Sequence, residues 1–407
     1  MAPVITAPPT IRALLLENVD ARGVHLLQAA GWEVSTVNRS LSEEDLLERL
    51  QGVQILGIRS KTRLTQRVFE HARDLIAVGA FCIGTDQIDL EAASRQGVAV
   101  FNAPFSNTRS VVELVLSEII ALYRQLPAKT AHMHRGVWDK SAAGSHEVRG
   151  RTLGIVGYGK IGSQLSVLAE NLGLRVCFYD IQDRLALGNA RQCGSLHELL
   201  EDADVVTLHV DGRPGNSGMF GEREFSLMRD GSLFLNLSRG FVVDHSALRR
   251  HLESGHLAGA SIDVFPTEPL GSGDEFESEL RGLDNVILTP HIGGSTEEAQ
   301  RDIGEFVGSK LRDHVERGTT ALSVNFPELV LPGAHSGRRI GHLHSNVPGV
   351  LAKVNSILAG ENVNVDAQLL GTRGHLGYLI TDVDHSCSAG VIERLQELEE
   401  TIRLRVL

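Results

Sequence analysis

Short runs of β-branched and other apolar residues alternate with helix-period stretches over the first three quarters of the chain, the pattern of a parallel sheet wrapped by helices. Ile11–Leu16, Gln54–Ile58, Leu75–Val78 and Val98–Phe101 read as strands. Ala21–Ala30, closed by Gly31, and Leu41–Leu50, opened by Ser42, read as helices between them. A second series of strands follows at Thr152–Val156, Arg175–Tyr179, Val205–His209, Leu233–Leu237, Gly259–Asp263 and Val286–Thr289. Phe326–Gly337 (FPELVLPGAHSG) contains two prolines, two glycines and little periodicity, and reads as a linker. Beyond it the pattern changes to strand Arg338–His344, helix Pro348–Ala359, strands Val363–Leu370 and Leu376–Val383, helix Ala389–Glu400 and strand Ile402–Leu407. That βαββαβ order predicts a small ferredoxin-like module, suited to binding a ligand or a partner.

The 407 residues exceed one core and suit two or three domains. A net charge of −12 disfavours nucleic-acid or anionic-membrane partners, which need a basic face. No uninterrupted apolar run approaches the ~18 residues of a membrane span. The start, MAPVITAPPT, lacks the basic region of a signal peptide and reads as a frayed tail. Cys82, Cys177, Cys193 and Cys387 are too scattered for a disulfide framework and read as buried thiols of a reducing cytosol. A large cytoplasmic enzyme fits these bounds.

The strongest local signal is Gly157-Tyr-Gly159-Lys160-Ile161-Gly162, between the strand RTLGIV and a helix over Ile161–Asn171. The first two glycines allow a sharp turn and a close approach to a pyrophosphate. The third allows tight helix–strand packing, and the helix N-terminus favours the anion. Asp180 closes the next strand, where a carboxylate accepts hydrogen bonds from the adenosine ribose and repels a 2′-phosphate; NAD is therefore expected over NADP.

Three polar clusters end later strands: Ser238-Arg239-Gly240 after LFLNL, Glu268 in VFPTEP after GASID, and His291 in TPHIGG after VILTP. In a parallel sheet these strand ends share the edge that carries the glycine loop. Hydride transfer from a 2-hydroxy acid needs such a set. A histidine takes the hydroxyl proton, a carboxylate orients its ring, and an arginine holds the substrate carboxylate or carbonyl. His132/His134 and His342/His344 lack companion ligands at metal spacing, so no metal is expected.

The motifs IRSKTRLT, FCIGTDQIDL, FNAPFSNTRSVVELV, HRGVWDKSAAGSHEVRG, LGIVGYGKIG, LSRG, IDVFPTEP, TPHIGGST, VNFPE and HLHSNVPGVL run almost end to end. With them the chain resembles the bacterial, ACT-domain D-3-phosphoglycerate dehydrogenases of the D-2-hydroxyacid dehydrogenase family. The resemblance implies an α/β architecture of two doubly wound parallel-sheet domains plus the ferredoxin-like ACT domain. A discontinuous flavodoxin-like substrate domain takes residues 1–105 and 293–327, a Rossmann domain 106–292, a linker 328–337, and the ACT domain 338–407. It makes Arg239, Glu268 and His291 catalytic. Substrate contacts fall on Arg59, Ser60, Asn107 and Arg239, with Lys140 approaching a neighbouring subunit's substrate and Trp138 anchoring a subunit contact. Candidate cofactor contacts are Gly157, Gly159, Lys160, Ile161, Gly162 and Asp180, joined by Leu237, Ser238, Arg239, Asp263, His291, Gly293 and Gly294. The ACT module implies L-serine as an effector at His344 and Asn346, with Asn364 from a partner, in a homotetramer.

The resemblance thus predicts NAD-dependent oxidation of 3-phosphoglycerate to 3-phosphohydroxypyruvate, the opening step of L-serine biosynthesis. The same scaffold serves other D-2-hydroxy acids, 2-hydroxyglutarate among them, and also dinucleotide-sensing scaffolds without turnover. Two departures stand out. Ser336 replaces one glycine of a double-glycine hinge, and Arg39 stands where some relatives have lysine. The first is expected to stiffen the coupling between serine binding and domain closure.

Overall fold

The computed structural model describes residues 4–6, 10–269, 273–333 and 337–407. The chain divides into two compact units, residues 107–299 and residues 1–106 with 300–407.

The unit 107–299 is built on seven parallel strands. From one edge they run Val286–Leu288, Leu257–Ile262, Ser232–Asn236, Val205–Leu208, Thr152–Val156, Arg175–Tyr179 and Arg191–Gln192. Each strand expected in the second series is present, within a residue or two. The central strands are buried along their whole length because helices cover both faces, which is why they read as unbroken apolar runs. The two-residue strand period sorts their side chains. Leu153, Ile155, Val205, Leu233 and Leu235 pack with Val112, Val115 and Ile119 of helix Thr108–Tyr123 and Leu165 of helix Lys160–Asn171. Val156, Val206, Leu208 and Phe234 pack on the other face with Leu199, Phe225 and Leu248. All strands point the same way, so the loops that follow them gather at one sheet edge.

The second unit holds two sheets. The first is parallel, in the order Glu33–Val37, Arg12–Leu16, Ile55–Ile58, Ala77–Ala80, Ala99–Phe101, a doubly wound arrangement. Helix Glu297–Arg317 supplies Ile303, Val307 and Leu311 to its core beside Ile55, Ala77 and Phe101.

The second sheet is the C-terminal module. Thr401–Val406, Arg338–Ser345, Leu376–Val383 and Val365–Arg373 pair antiparallel in that order, and helices Val350–Gly360 and Ala389–Gln396 complete the expected βαββαβ unit. One expectation is corrected. The N-terminal segment is not wholly a tail, because Val4–Thr6 joins this sheet as a parallel edge strand with Val4 opposite Leu404 and Thr6 opposite Val406. The edge of Thr401–Val406 offers unpaired backbone groups, and the β-branched pair Val4-Ile5 suits an extended partner.

The module is also packed against the rest of its unit. Arg403 is buried and donates to the backbone carbonyls of Leu75, Gly97 and Arg73, and burial brings its guanidinium down to about 10. Arg405 donates to His314 Nε2 at 2.9 Å and to the carbonyl of Val315 at 3.0 Å. The Tyr378 hydroxyl donates to Gly318 O at 2.8 Å. Within the segment expected as a linker, Leu329 is buried and exchanges hydrogen bonds with Thr320. Ser336 lies outside the described residues.

Candidate active site

The strand Thr152–Val156 delivers the glycine loop. Gly157 sits at φ +94, and a Cβ there would come within 2.5 Å of the His209 carbonyl oxygen. At Gly162 a Cβ would stand 2.3 Å from the Gly157 carbonyl oxygen, so the helix Lys160–Asn171 reaches the strand only because that atom is missing. Gly159, the N-cap, is different: a Cβ there meets nothing within 4 Å, so the helix N-terminus opens onto empty space. Lys160 is exposed and Ile161 half-buried on that first turn. Asp180 follows the strand Arg175–Tyr179. Its Oδ2 accepts the backbone N–H of Tyr158 at 2.8 Å and its Oδ1 that of Gln182 at 2.9 Å, with Arg184 Nε 3.5 Å from Oδ2. The carboxylate is thereby fixed to the glycine loop. An open helix N-terminus beside an anchored carboxylate fits a dinucleotide whose ribose carries a plain 2′-hydroxyl.

Three strand ends supply the remaining polar groups of this unit. After Ser232–Asn236, the Asn236 side chain knits the turn. Its Oδ1 accepts from the Ser238 hydroxyl at 2.8 Å, and its Nδ2 donates to the Arg239 carbonyl at 3.0 Å. Leu237 and Ser238 are buried, whereas the Arg239 guanidinium bonds the Ser238 carbonyl at 2.8 Å. After Leu257–Ile262 comes Asp263, which is buried and holds the loop that carries His291. Oδ1 accepts from the Thr289 hydroxyl at 2.6 Å and the Ile292 N–H at 2.8 Å, and Oδ2 accepts from the Gly293 N–H at 2.8 Å. Burial nevertheless raises the Asp263 carboxyl above its ordinary value, against the opposing pull of those three bonds.

His291 sits at the centre of that loop with φ +55, a left-handed conformation that a non-glycine residue adopts only when its surroundings hold it there. Its Nδ1 donates to Glu268, 2.9 Å from Oε2 and 3.1 Å from Oε1. Glu268 is itself set by the Phe265 N–H, 3.2 Å from Oε1. The hydrogen bond to Glu268 raises the imidazole above its ordinary value and outweighs the opposing effect of burial. Burial pushes the Glu268 carboxyl up, but the bond and charge of His291 prevail and leave it lowered. Arg239 is within electrostatic reach of both. Glu268 and His291 thus meet directly, with Nε2 as the ring nitrogen not engaged by Glu268.

Gly294 lies against Asn107, where a Cβ would stand 2.1 Å from the amide nitrogen, and Asn107 Oδ1 is buried without a hydrogen-bond partner among the described residues. Arg59 and Ser60 follow the strand Ile55–Ile58 in the other unit, half-buried and exposed respectively. Lys140 is exposed, and Trp138 is 77 % exposed in this single chain. In the C-terminal module His344 is buried with Nδ1 2.8 Å from the Ser345 carbonyl, Asn346 donates to Gly374 O at 3.0 Å, and Asn364 donates to Asp366 Oδ1 at 2.8 Å. The clamping roles of Asp263 and Asn236 were not visible in the sequence. A polar residue at the buried end of each strand was their one signal.

Comparison with known proteins bears on this geometry. Residues 116–293 match the NAD-binding domain of the D-isomer specific 2-hydroxyacid dehydrogenases, and residues 340–403 match an ACT domain of the AHAS small-subunit type. A D-3-phosphoglycerate dehydrogenase of Escherichia coli is 49 % identical over the full length of both chains. The chain belongs to the D-3-phosphoglycerate dehydrogenase family. Two further relatives extend this: the Haemophilus influenzae enzyme is 49 % identical over 98 % of this chain and 97 % of its own, and D-3-phosphoglycerate dehydrogenase 1 of Saccharomyces cerevisiae is 46 % identical over 98 % and 87 %. Among solved structures, the TT0316 protein of Thermus thermophilus superposes with a TM-score of 0.69 at 30 % identity, over 76 % of this chain and 97 % of its own. A D-lactate dehydrogenase from Aquifex aeolicus, solved with NAD and lactic acid, superposes at 0.68 with 25 % identity, over 78 % and 100 %. The chain is therefore an NAD-dependent oxidoreductase, which sets aside the scaffold without turnover. No helix among the described residues is long and apolar enough to cross a membrane.

Proposed function

We propose that this chain interconverts D-3-phosphoglycerate and 3-phosphohydroxypyruvate, the opening step of L-serine biosynthesis, in the cytoplasm. The observation that carries the reading is the His291–Glu268 pair on its clamped loop, beside Arg239, in a chain that matches D-3-phosphoglycerate dehydrogenases from end to end. The cofactor contacts are those expected of the glycine loop, Asp180 and the strand-end residues Leu237, Ser238, Arg239, Asp263, His291, Gly293 and Gly294. Bound NAD supplies the acceptor for the hydride that leaves substrate C2.

The residues of the chain do the rest. With Nδ1–H donated to Glu268, His291 presents Nε2 as the atom that takes the C2 hydroxyl proton, and in reduction returns it to the carbonyl. Glu268 fixes the ring and stabilises its protonated form. Arg239 offers a planar fork for a carboxylate. Arg59, Ser60 and Asn107 bind the substrate's remaining polar groups, and Lys140 approaches the site of a neighbouring subunit. Domain roles follow the same reading: 1–105 and 293–327 bind substrate, 106–292 the cofactor, and 338–407 regulates. His344, Asn346 and the partner's copy of the Asn364 position take the carboxylate and ammonium groups of L-serine, in a homotetramer.

The test is NADH oxidation with 3-phosphohydroxypyruvate, with and without millimolar L-serine. Consumption that serine suppresses supports both substrate and effector. Consumption indifferent to serine removes the effector, and no consumption removes the substrate.

A further inference from the structure

The strand Arg12–Leu16 ends in two consecutive residues, Glu17 at φ +63 and Asn18 at φ +57, both in the left-handed region and neither a glycine. Such strain persists where the surroundings impose it, and it concentrates at functional sites. Glu17 is 9 % exposed, an unusual place for a carboxylate. Its two oxygens face the loop that carries Arg59 and Ser60. Oε2 accepts the backbone N–H of Lys61 at 3.0 Å, and Oε1 accepts that of Thr62 at 2.7 Å.

The same loop is held from its other side. Gln87, in the FCIGTDQIDL stretch, donates Nε2–H to the Arg59 carbonyl at 2.6 Å. Strands Arg12–Leu16 and Ile55–Ile58 are parallel neighbours, so the turn at Glu17 and the loop at Arg59 leave the same sheet edge side by side. The Arg59 guanidinium meets the Glu17 backbone carbonyl, at 3.5 Å, rather than its carboxylate. The Glu17 carboxylate therefore pins the loop through the backbone amides of Lys61 and Thr62, and the arginine side chain bonds the Glu17 main chain instead.

We propose that Glu17 is a positioning residue that presets the Arg59–Ser60 loop for the anionic groups of the substrate. The assignment rests on the reading that Arg59 and Ser60 bind a phosphorylated hydroxy acid. A carboxylate bonded to two successive N–H groups makes strong, directional hydrogen bonds that neutral groups do not match. A loop displaced by an ångström aims its donors wrongly, and substrate affinity suffers before the chemistry does.

The test compares wild type with Glu17→Gln, Glu17→Ala and Glu17→Asp. In the Gln and Ala variants the KM for 3-phosphohydroxypyruvate rises by about 10–100-fold, kcat stays within about threefold and NADH binding is unchanged; Asp, which keeps both oxygens, recovers part of the loss. A purely structural role would lower kcat and NADH binding together, in proportion to the protein unfolded. That result, or an unchanged KM in folded Glu17→Gln, overturns the proposal. Wild type inert with this substrate would instead remove the functional reading. The clamp is then read by hydrogen exchange at the Lys61 and Thr62 amides, and equal exchange in wild type and Glu17→Gln would overturn it as well.

Discussion

The imidazole Nδ1 of His291 lies 2.9 Å from Glu268 Oε2, and the residue that carries it has a left-handed backbone. The two facts belong together. The left-handed turn is held by Asp263 through Thr289, Ile292 and Gly293, and the ring's azimuth is set by Glu268. The residue proposed to transfer the proton is thus fixed at its backbone by one carboxylate and at its ring by another.

Glu268 raises the His291 imidazole, so its removal has a signed consequence. Reduction needs the protonated ring and fails as pH rises through the His291 value. Oxidation needs the neutral ring and fails as pH falls through it. Glu268→Gln removes the raising influence and moves both limbs to lower pH, while turnover falls by roughly 10–10³-fold. Rate profiles in both directions check this. Limbs that stay in place would disconnect Glu268 from the titrating group.

Asp263→Ala leaves the Thr289 hydroxyl and two loop N–H groups without their acceptor in a buried setting. The expected loss is about 3 kcal/mol of stability, with a fall in turnover larger than the loss of NADH affinity because His291 is no longer held. Thermal unfolding and steady-state kinetics on one preparation read both.

Gly162→Ala puts a methyl 2.3 Å from the Gly157 carbonyl oxygen, a backbone atom with no rotamer to yield. The helix Lys160–Asn171 must then move off the strand, at a cost of roughly 1–3 kcal/mol, and NADH affinity falls by tenfold or more. Fluorescence titration with NADH measures it; unchanged affinity would contradict the packing role given to this glycine.

Much of this was legible in the sequence because its physics is local. Strands buried on both faces, such as Val205–Leu208 and Ser232–Asn236, are unbroken apolar runs, and the glycine loop announces itself by spacing. Glu33–Val37 escaped because it is an edge strand with a largely solvated surface, so no apolar run marks it. Val4–Thr6 escaped because its partner, Thr401–Val406, is at the opposite end of the chain. Asp263 and Glu17 were illegible as clamps for a related reason. Apart from the Thr289 hydroxyl on Asp263, their bonds go to backbone amides, which carry no residue identity, and these lie 29 or 30 positions away for Asp263 and 44 or 45 for Glu17. Meetings across the fold are read from geometry, whereas the residue types that make them chemical are read from sequence.

His291 is the proposed proton-transfer group, and one comparison tests that role most directly. NADH oxidation with saturating 3-phosphohydroxypyruvate is measured for wild type and His291→Ala, alongside NADH binding to each. The predicted result is a fall in turnover of about 10²–10⁴-fold with NADH affinity retained. Turnover of His291→Ala equal to that of wild type would contradict the account.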